Sequence, residues 1–169
     1  MTDTAAPPPR GITAWGRRAF ALAAATVILD QVTKYWIVSI LALPVGATVE
    51  VFWPLQWTRI WNEGVSFGLF QAQHDLMRWA MVAFSVLVGV TLAVWARNQT
   101  RWLPAVGLGL IVGGALGNAI DRALFGAVID FIDVSRIGFF PWIFNVADSG
   151  ITVGVVLILL DSFRRERPA

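Results

Sequence analysis

Four long apolar stretches limit this chain to a membrane-spanning architecture. They run from about Ala19 to Leu41, Trp79 to Ala96, Trp102 to Ile120 and Pro141 to Phe163. Each is close to the roughly 20 residues that an α-helix needs to cross a hydrocarbon core of about 30 Å. The composition agrees, since 57% of the 169 residues are hydrophobic, 14% are charged and the mean hydropathy is +0.66. We therefore expect an all-α membrane protein with four transmembrane helices.

Basic residues flank these stretches in a pattern that sets their orientation. They precede the first stretch, separate the second from the third and follow the fourth, namely Arg10, Arg17, Arg18, Arg97, Arg101, Arg164, Arg165 and Arg167. With four crossings these places share one side of the membrane, and the positive-inside rule makes that side cytoplasmic. Both termini are then cytoplasmic. Because orientation explains the arginines, the net charge of +2 does not indicate nucleic-acid binding.

No linker, repeat or change in composition divides the chain. We expect a single four-span domain over residues 15–169, preceded by a disordered cytoplasmic tail over residues 1–14. The outer connection between the first two spans alternates between apolar and polar residues from Val49 to Asn62. This period of two predicts a small extracytoplasmic amphipathic β-sheet on the membrane surface between spans 1 and 2.

The residue inventory excludes several kinds of catalytic site. There is no cysteine, so thiol nucleophiles, disulfides and cysteine-ligated metals are excluded. A histidine-based triad would depend on His74 alone, beside the start of a span.

Two groups of polar residues interrupt the first and third spans. Asp30 and Lys34 lie four residues apart on one helical face and are expected to pair. In the third span a ridge of small residues, Gly109, Gly113 and Gly117, predicts close approach of another helix. Asn118, Asp121 and Arg122 follow the ridge directly, and Asp121 is expected to be neutralised by Arg122 or another cation.

Asp148 is the polar residue that most requires an explanation. It lies about 10 Å along the fourth span from Pro141, near the outer surface, and no residue one turn away is cationic. The preceding outer loop supplies Asp130 and Asp133 on a short extended segment that directs them to opposite sides, one to a site and the other to water. Two converging carboxylates hydrolyse a peptide bond when one accepts a proton from water and the other, held protonated, polarises the carbonyl. Asp148 is thus a candidate half of an aspartyl dyad.

Three other interpretations use the same residues. A small proton-coupled carrier would also place Asp30, Asp121 and Asp148 inside its bundle. Metal-dependent hydrolysis of a lipid pyrophosphate is suggested by the aspartates of "DFID", although no second acidic cluster accompanies them. A purely structural role suits the glycine ridge and the ion pair but leaves Asp148 unexplained.

Five segments of the sequence resemble the signature blocks of lipoprotein signal peptidase, also called signal peptidase II. They are "DQVTK" (30–34), "NEGVSFG" (62–68), "GGALGNAIDR" (113–122), "VIDF" (128–131) and "FNVADS" (144–149), in the order found in that family. The resemblance implies a bacterial inner-membrane aspartyl endopeptidase that cleaves prolipoproteins just before the diacylglyceryl-modified lipobox cysteine, on the periplasmic side. It implies that the enzyme contacts membrane lipids and is inhibited by globomycin-type cyclic peptides. It implies no metal and no organic cofactor. Four spans around one internal site are compatible with a monomer.

The resemblance also assigns roles to individual positions. It selects Asp130 and Asp148 as the catalytic pair and leaves a role for Asp133 open. Residues implied to line, brace or contact the site are Asp30, Lys34, Asn62, Gly64, Asn118, Asp121, Arg122 and Asn145.

Overall fold

The computed structural model describes residues 11–64, 74–138 and 143–165, and it contains four long helices. They are α1 (Ala14–Tyr35), α2 (His74–Ala96), α3 (Trp102–Phe125) and α4 (Val146–Arg165). A π-helical turn, Trp36–Ile40, extends α1. All four helices are long and apolar enough to cross a membrane. The number of helices predicted from the apolar stretches is therefore confirmed.

The structure describes residues near two of the predicted boundaries. The first ten residues of the expected tail lie outside the described residues, but Thr13 is described and caps α1 by accepting from the Gly16 N–H at 2.9 Å. The Thr13 N–H also donates to the Arg97 carbonyl at 3.0 Å, which attaches the start of α1 to the end of α2. At the other end of the chain, Pro141 lies outside the described residues and α4 begins at Val146. Asp148 consequently occupies the first turn of α4 instead of lying about 10 Å into the span.

Helix α3 is the central helix, and its glycines allow the other helices to approach it. The predicted ridge faces α1: a Cβ on Gly109 would lie 2.6 Å from the Ala19 carbonyl oxygen. Glycines on another side face α4, where a Cβ on Gly107 would lie 2.8 Å from the Gly154 carbonyl oxygen. Real Cβ atoms do not come this close to backbone, so backbone-to-backbone packing here depends on the missing side chains.

A four-stranded antiparallel sheet connects the helices at one end of the bundle. Its strands, in spatial order, are β1 (Thr48–Phe52), β2 (Leu55–Asn62), β3 (Val128–Asp133) and β4 (Ile143–Phe144). The predicted sheet contained only the first outer connection, and its period-two pattern crosses a turn at Trp53 and Pro54 that divides β1 from β2. The sheet includes two strands from the second outer connection as well, because β3 pairs with β2.

Strand β2 buries two of its polar residues, whereas the apolar residues at the tip of the hairpin formed by β1 and β2 are exposed. Polar Gln56 and Thr58 are each 8% exposed, whereas Phe52 and Trp53 are 65% and 75% exposed. Trp57 is an exception among the apolar residues, since it packs against other aromatic rings. Exposed apolar rings on an amphipathic sheet fit contact with a membrane surface better than contact with water.

Candidate active site

The first turn of α4 carries a reciprocal pair of hydrogen bonds. The Asp148 backbone N–H donates to Asn145 Oδ1 at 2.9 Å, and the Asn145 backbone N–H donates to Asp148 Oδ2 at 3.3 Å. This is a capping box, in which residues three positions apart satisfy each other's backbone N–H groups. The box explains why α4 begins at Val146. It also holds the Asp148 carboxylate at the positive end of the helix dipole.

Two asparagine side chains connect Asp148 to Asp130. Asn118 donates from Nδ2 to Asp148 Oδ1 at 2.7 Å, and Asn145 donates from Nδ2 to Asp130 Oδ1 at 2.7 Å. The Asn145 amide also donates to Asn118 Oδ1 at 3.1 Å, which joins the two amides. Helices α3 and α4 and strand β3 thus bring the two aspartates into one hydrogen-bonded network.

Strand β2 supplies the second hydrogen bond to Asp130. Asn62 is opposite Val128 in the sheet, two residues from Asp130, and its Nδ2 donates to Asp130 Oδ2 at 2.9 Å. The Gly64 N–H donates to Asn62 Oδ1 at 2.9 Å and so orients the amide. Gly64 has a φ of +79°, and a Cβ there would lie 2.8 Å from Met81 Sδ. The positive φ favours glycine at this position, whereas the nearby atoms belong to the flexible end of Met81.

The environment of Asp130 favours its protonated form. Burial raises the pKa of Asp130 to about 6, and the neighbouring charge of Asp148 adds to the rise, whereas hydrogen bonds from Asn62 and Asn145 oppose it. The residue is only 1% exposed. A carboxyl group that binds its proton more tightly than usual beside a second carboxylate is the electrostatic pattern of an acid–base dyad.

A buried ion cluster lies beneath the two aspartates. Lys34 Nζ is 2.8 Å from Asp30 Oδ2 and 2.7 Å from Asp121 Oδ2, so the cation that neutralises Asp121 is Lys34. Gln31 donates to the same two carboxylates, at 3.1 Å and 2.9 Å. Gln31 was not among the predicted site residues, although it lies within the "DQVTK" segment.

The ion cluster also holds the backbone on which the candidate catalytic residues stand. Asp30 Oδ1 accepts from the Ala147 N–H at 2.9 Å, next to Asp148. Asp121 Oδ2 accepts from the Ile129 N–H at 3.1 Å, next to Asp130. Each carboxylate of the cluster therefore fixes the peptide adjoining one aspartate of the pair.

Comparison with known proteins identifies the family. A sequence model of signal peptidase (SPase) II matches residues 22–164. This chain belongs to the signal peptidase II family. The lipoprotein signal peptidase of Caulobacter vibrioides is 52% identical over 160 residues, which cover 94% of each chain. That of Methylobacterium sp. (strain 4-46) is 43% identical over 142 residues, covering 84% of this chain and 86% of the relative.

A solved structure has the same fold. It is a bacterial membrane enzyme determined by the in meso method at 1.9 Å resolution, with a TM-score of 0.74 and 32% identity over 90% of this chain and 96% of its own. Membership of the signal peptidase II family makes this chain a membrane protease.

Arg122 brings a positive charge to the site of this signal peptidase II. Its guanidinium is half-buried and interacts electrostatically with Asp148, Asp130 and Asp121. Within the described part of the chain its buried Nε–H has no hydrogen-bond partner. A buried N–H donor without a partner costs free energy, because it has lost its hydrogen bonds to water. A carbonyl group bound at the site would accept a hydrogen bond from it and remove this cost.

The sequence predicted that one of Asp130 and Asp133 faces water, but both are buried, including Asp133. It is 5% exposed, accepts from Thr58 Oγ1 at 2.6 Å and accepts from the Ser135 N–H at 2.9 Å. Burial opposes its ionised form, but these hydrogen bonds outweigh burial and lower the pKa of Asp133. Its contacts stabilise the end of β3 and the junction with β2.

The described residues contain no group of three or more histidine, cysteine, aspartate or glutamate side chains placed to hold a metal ion. Asp130 and Asp133 of "DFID" accept hydrogen bonds from different partners, Asn62 and Asn145 for the first and Thr58 for the second. Their arrangement gives no support to the lipid pyrophosphate interpretation.

Proposed function

We propose that this signal peptidase II is an aspartyl endopeptidase that removes the signal peptide from diacylglyceryl-modified prolipoproteins, cleaving just before the lipidated lipobox cysteine. The observation that carries the proposal is the network in which Asn118 and Asn145 join Asp130 to Asp148. The same residues match the family segments, and the names of the relatives describe lipoprotein signal peptidases.

The two aspartates have different environments, which suggests different roles. Asp148 accepts two N–H hydrogen bonds at the N-terminus of α4, and it acts as the base. Asp130, whose pKa is raised to about 6, carries the proton and donates it toward the scissile carbonyl oxygen.

The reaction then follows from these roles. Asp148 takes a proton from a water molecule whose oxygen attacks the carbonyl carbon, while the carbonyl oxygen receives the Asp130 proton. The resulting tetrahedral diol collapses when Asp148 returns its proton to the leaving nitrogen and Asp130 recovers its proton from a hydroxyl group. The unpartnered Nε–H of Arg122 is placed to bind a substrate carbonyl near this centre. No metal or organic cofactor enters these steps.

The proposed orientation places both termini in the cytoplasm and the active site at the periplasmic face of the bacterial inner membrane. The exposed apolar residues Val51, Phe52 and Trp53 then contact lipid or the acyl chains of the substrate at the outer surface. Because the chain has no cysteine, single-cysteine variants test this orientation directly. A membrane-impermeant maleimide is expected to label Ser135→Cys in intact cells and Asn98→Cys only after permeabilisation.

The function is tested by cleavage of a diacylglyceryl-modified prolipoprotein in detergent with excess chelator. The parent is expected to cleave it and the unlipidated precursor is not, and globomycin is expected to block the reaction. Asp130→Asn and Asp148→Asn should each lower the rate at least about 10²-fold, the contribution of one general acid or base. Asp133→Asn is the matched control and should keep turnover. An inactive Asp133→Asn beside an active Asp130→Asn would refute the assignment of the pair.

Failure of the folded parent to cleave a confirmed lipidated substrate would refute the proposed activity. Proton-dependent uptake of a solute by proteoliposomes under those conditions would favour the carrier interpretation instead.

A further inference from the structure

A cavity lies in the helix bundle well away from the candidate active site. Its volume is about 370 Å³, and its walls come from α1, from the start of α3 and from the end of α4, namely Trp15, Thr100, Arg101, Trp102, Leu103, Asp161 and Arg164. Asp161 lies 13 residues beyond Asp148 in α4, which corresponds to about 20 Å along the helix. The cavity therefore takes no part in the proposed chemistry.

Positive charge is concentrated around this cavity. Arg101 and Arg164 line it, and Arg18 stacks on its Trp15 wall with the guanidinium carbon 4.3 Å from the ring centre. Arg17 and Arg97 lie at the same end of the bundle. Asp161 is the one acidic side chain at this end among the described residues, and it forms an ion pair with Arg101. The arginines exceed the carboxylates, so a bound anion would meet a net positive field.

The start of α3 adds to this positive field. Arg101, the residue before the helix, makes no side-chain cap in the described part of the chain, so the first N–H groups of α3 lack that partner. Two of these groups belong to Trp102 and Leu103, both of which line the cavity. The N-terminal end of a helix carries partial positive charge and favours a phosphate group.

The remaining walls are apolar and lie at the ends of helices that are long enough to cross a membrane. Trp102 is 51% exposed, Trp15 is half-buried and Leu103 is buried. Tryptophans at the ends of membrane helices lie at headgroup level, and basic pockets between such helices bind the headgroups of anionic lipids. A free anion uses only the charged part of such a cavity, whereas a phospholipid uses both the charged and the apolar walls.

We propose that this cavity binds the phosphate headgroup of an anionic phospholipid in the leaflet opposite the candidate active site. Arg164 and Arg101 contact the phosphate at the uncapped start of α3, and the glycerol and upper acyl chain lie along Trp102. Neither the family assignment nor the proposed peptidase activity is needed for this inference.

The proposal is tested with the full-length protein in phosphatidylcholine-containing micelles titrated with phosphatidylglycerol, with thermal stability as the readout. Phosphatidylglycerol should raise the melting temperature, whereas equal amounts of added phosphatidylcholine or of inorganic phosphate should not. Arg164→Gln should weaken the apparent affinity for phosphatidylglycerol about fivefold, the effect of one basic residue near an anionic surface. Arg18→Gln provides a second variant on another helix.

Arg136→Gln is the control, because it removes one partly exposed arginine at the sheet end of the molecule, far from the cavity. It should leave the affinity for phosphatidylglycerol unchanged. An equal loss in Arg136→Gln would show that only overall charge matters, and stabilisation by inorganic phosphate alone would show a free-anion site. Either result, or no preference for phosphatidylglycerol in the folded parent, would overturn the proposal.

Discussion

Replacement of Lys34 by methionine tests how much the buried ion cluster stabilises the fold. Lys34 is 2% exposed, and its two partners, Asp30 and Asp121, are 0% exposed. At its contact distances of 2.8 and 2.7 Å, Coulomb's law with an effective dielectric constant of about 20 gives roughly 6 kcal/mol per contact. Desolvation of the three ions, at several kcal/mol each, offsets most of this energy.

The variant loses both contacts but retains both buried carboxylates. Loss of one partner from a buried ion pair destabilises proteins by about 3–5 kcal/mol, and we expect a loss of this size for Lys34→Met. Methionine has a similar length, so little of the effect should come from packing. The measurement is the free energy of unfolding in detergent micelles, obtained by denaturant titration.

Two controls separate charge from packing. The triple variant Lys34→Met/Asp30→Asn/Asp121→Asn carries no charge in the cluster and should recover most of the lost stability. Arg136→Gln breaks the partly exposed pair with Glu50 and should cost no more than about 1 kcal/mol. If Lys34→Met lost less stability than Arg136→Gln, the reasoning from burial would be refuted.

Three further predictions follow from the site and the helix packing. Because the pKa of Asp130 is raised from 3.8 to about 6, its protonation stabilises the fold at low pH, and about 2 kcal/mol of this contribution should be lost as the pH rises from 4 to 7. Unfolding titrations of Asp130→Asn should lack this loss, and an identical pH dependence would contradict the raised pKa. Gly64→Ala should lower the cleavage rate more than Gly46→Ala in the prolipoprotein assay, because both positions have positive φ but only the first would place a Cβ against a methionine side chain. Gly114→Ala should lower the melting temperature, because it introduces a methyl group against a backbone carbonyl of α4. Gly89→Ala, whose Cβ makes ordinary contacts, should be neutral or stabilising. Equal effects of the two substitutions would exclude close packing of α3 on α4 as the cause.

Local patterns in the sequence predicted the helices well because each span is long enough to be recognised by apolar composition alone. The Asp30 and Lys34 pair followed from helical spacing, and the structure contains it. One local signal was available but unused: Asn145 and Asp148, three residues apart before an apolar run, form a capping-box pattern. It would have placed the start of α4 correctly.

Other features depend on which distant segments meet. Periodicity predicted extended segments in both outer connections, but only the register of β2 against β3 decides that Asn62 reaches Asp130 and that Thr58 covers Asp133. A period of two cannot specify a partner strand, so the sheet was predicted too small and one of Asp130 and Asp133 was expected to face water.

The sequence by itself determined that the chain has four apolar helices and no cysteine chemistry. It also identified the polar residues within the spans, whose burial in a membrane is costly unless they have partners or a function. Tertiary structure decided that Lys34 neutralises Asp121 across two helices, that Gln31 joins the same cluster, and that two asparagines connect Asp130 to Asp148. The physical reason is the sequence separation over which each interaction acts, because hydrophobic periodicity and helix capping involve residues only a few positions apart. Pairing of buried charges instead depends on distances between helices, which the packing of glycines along α3 sets.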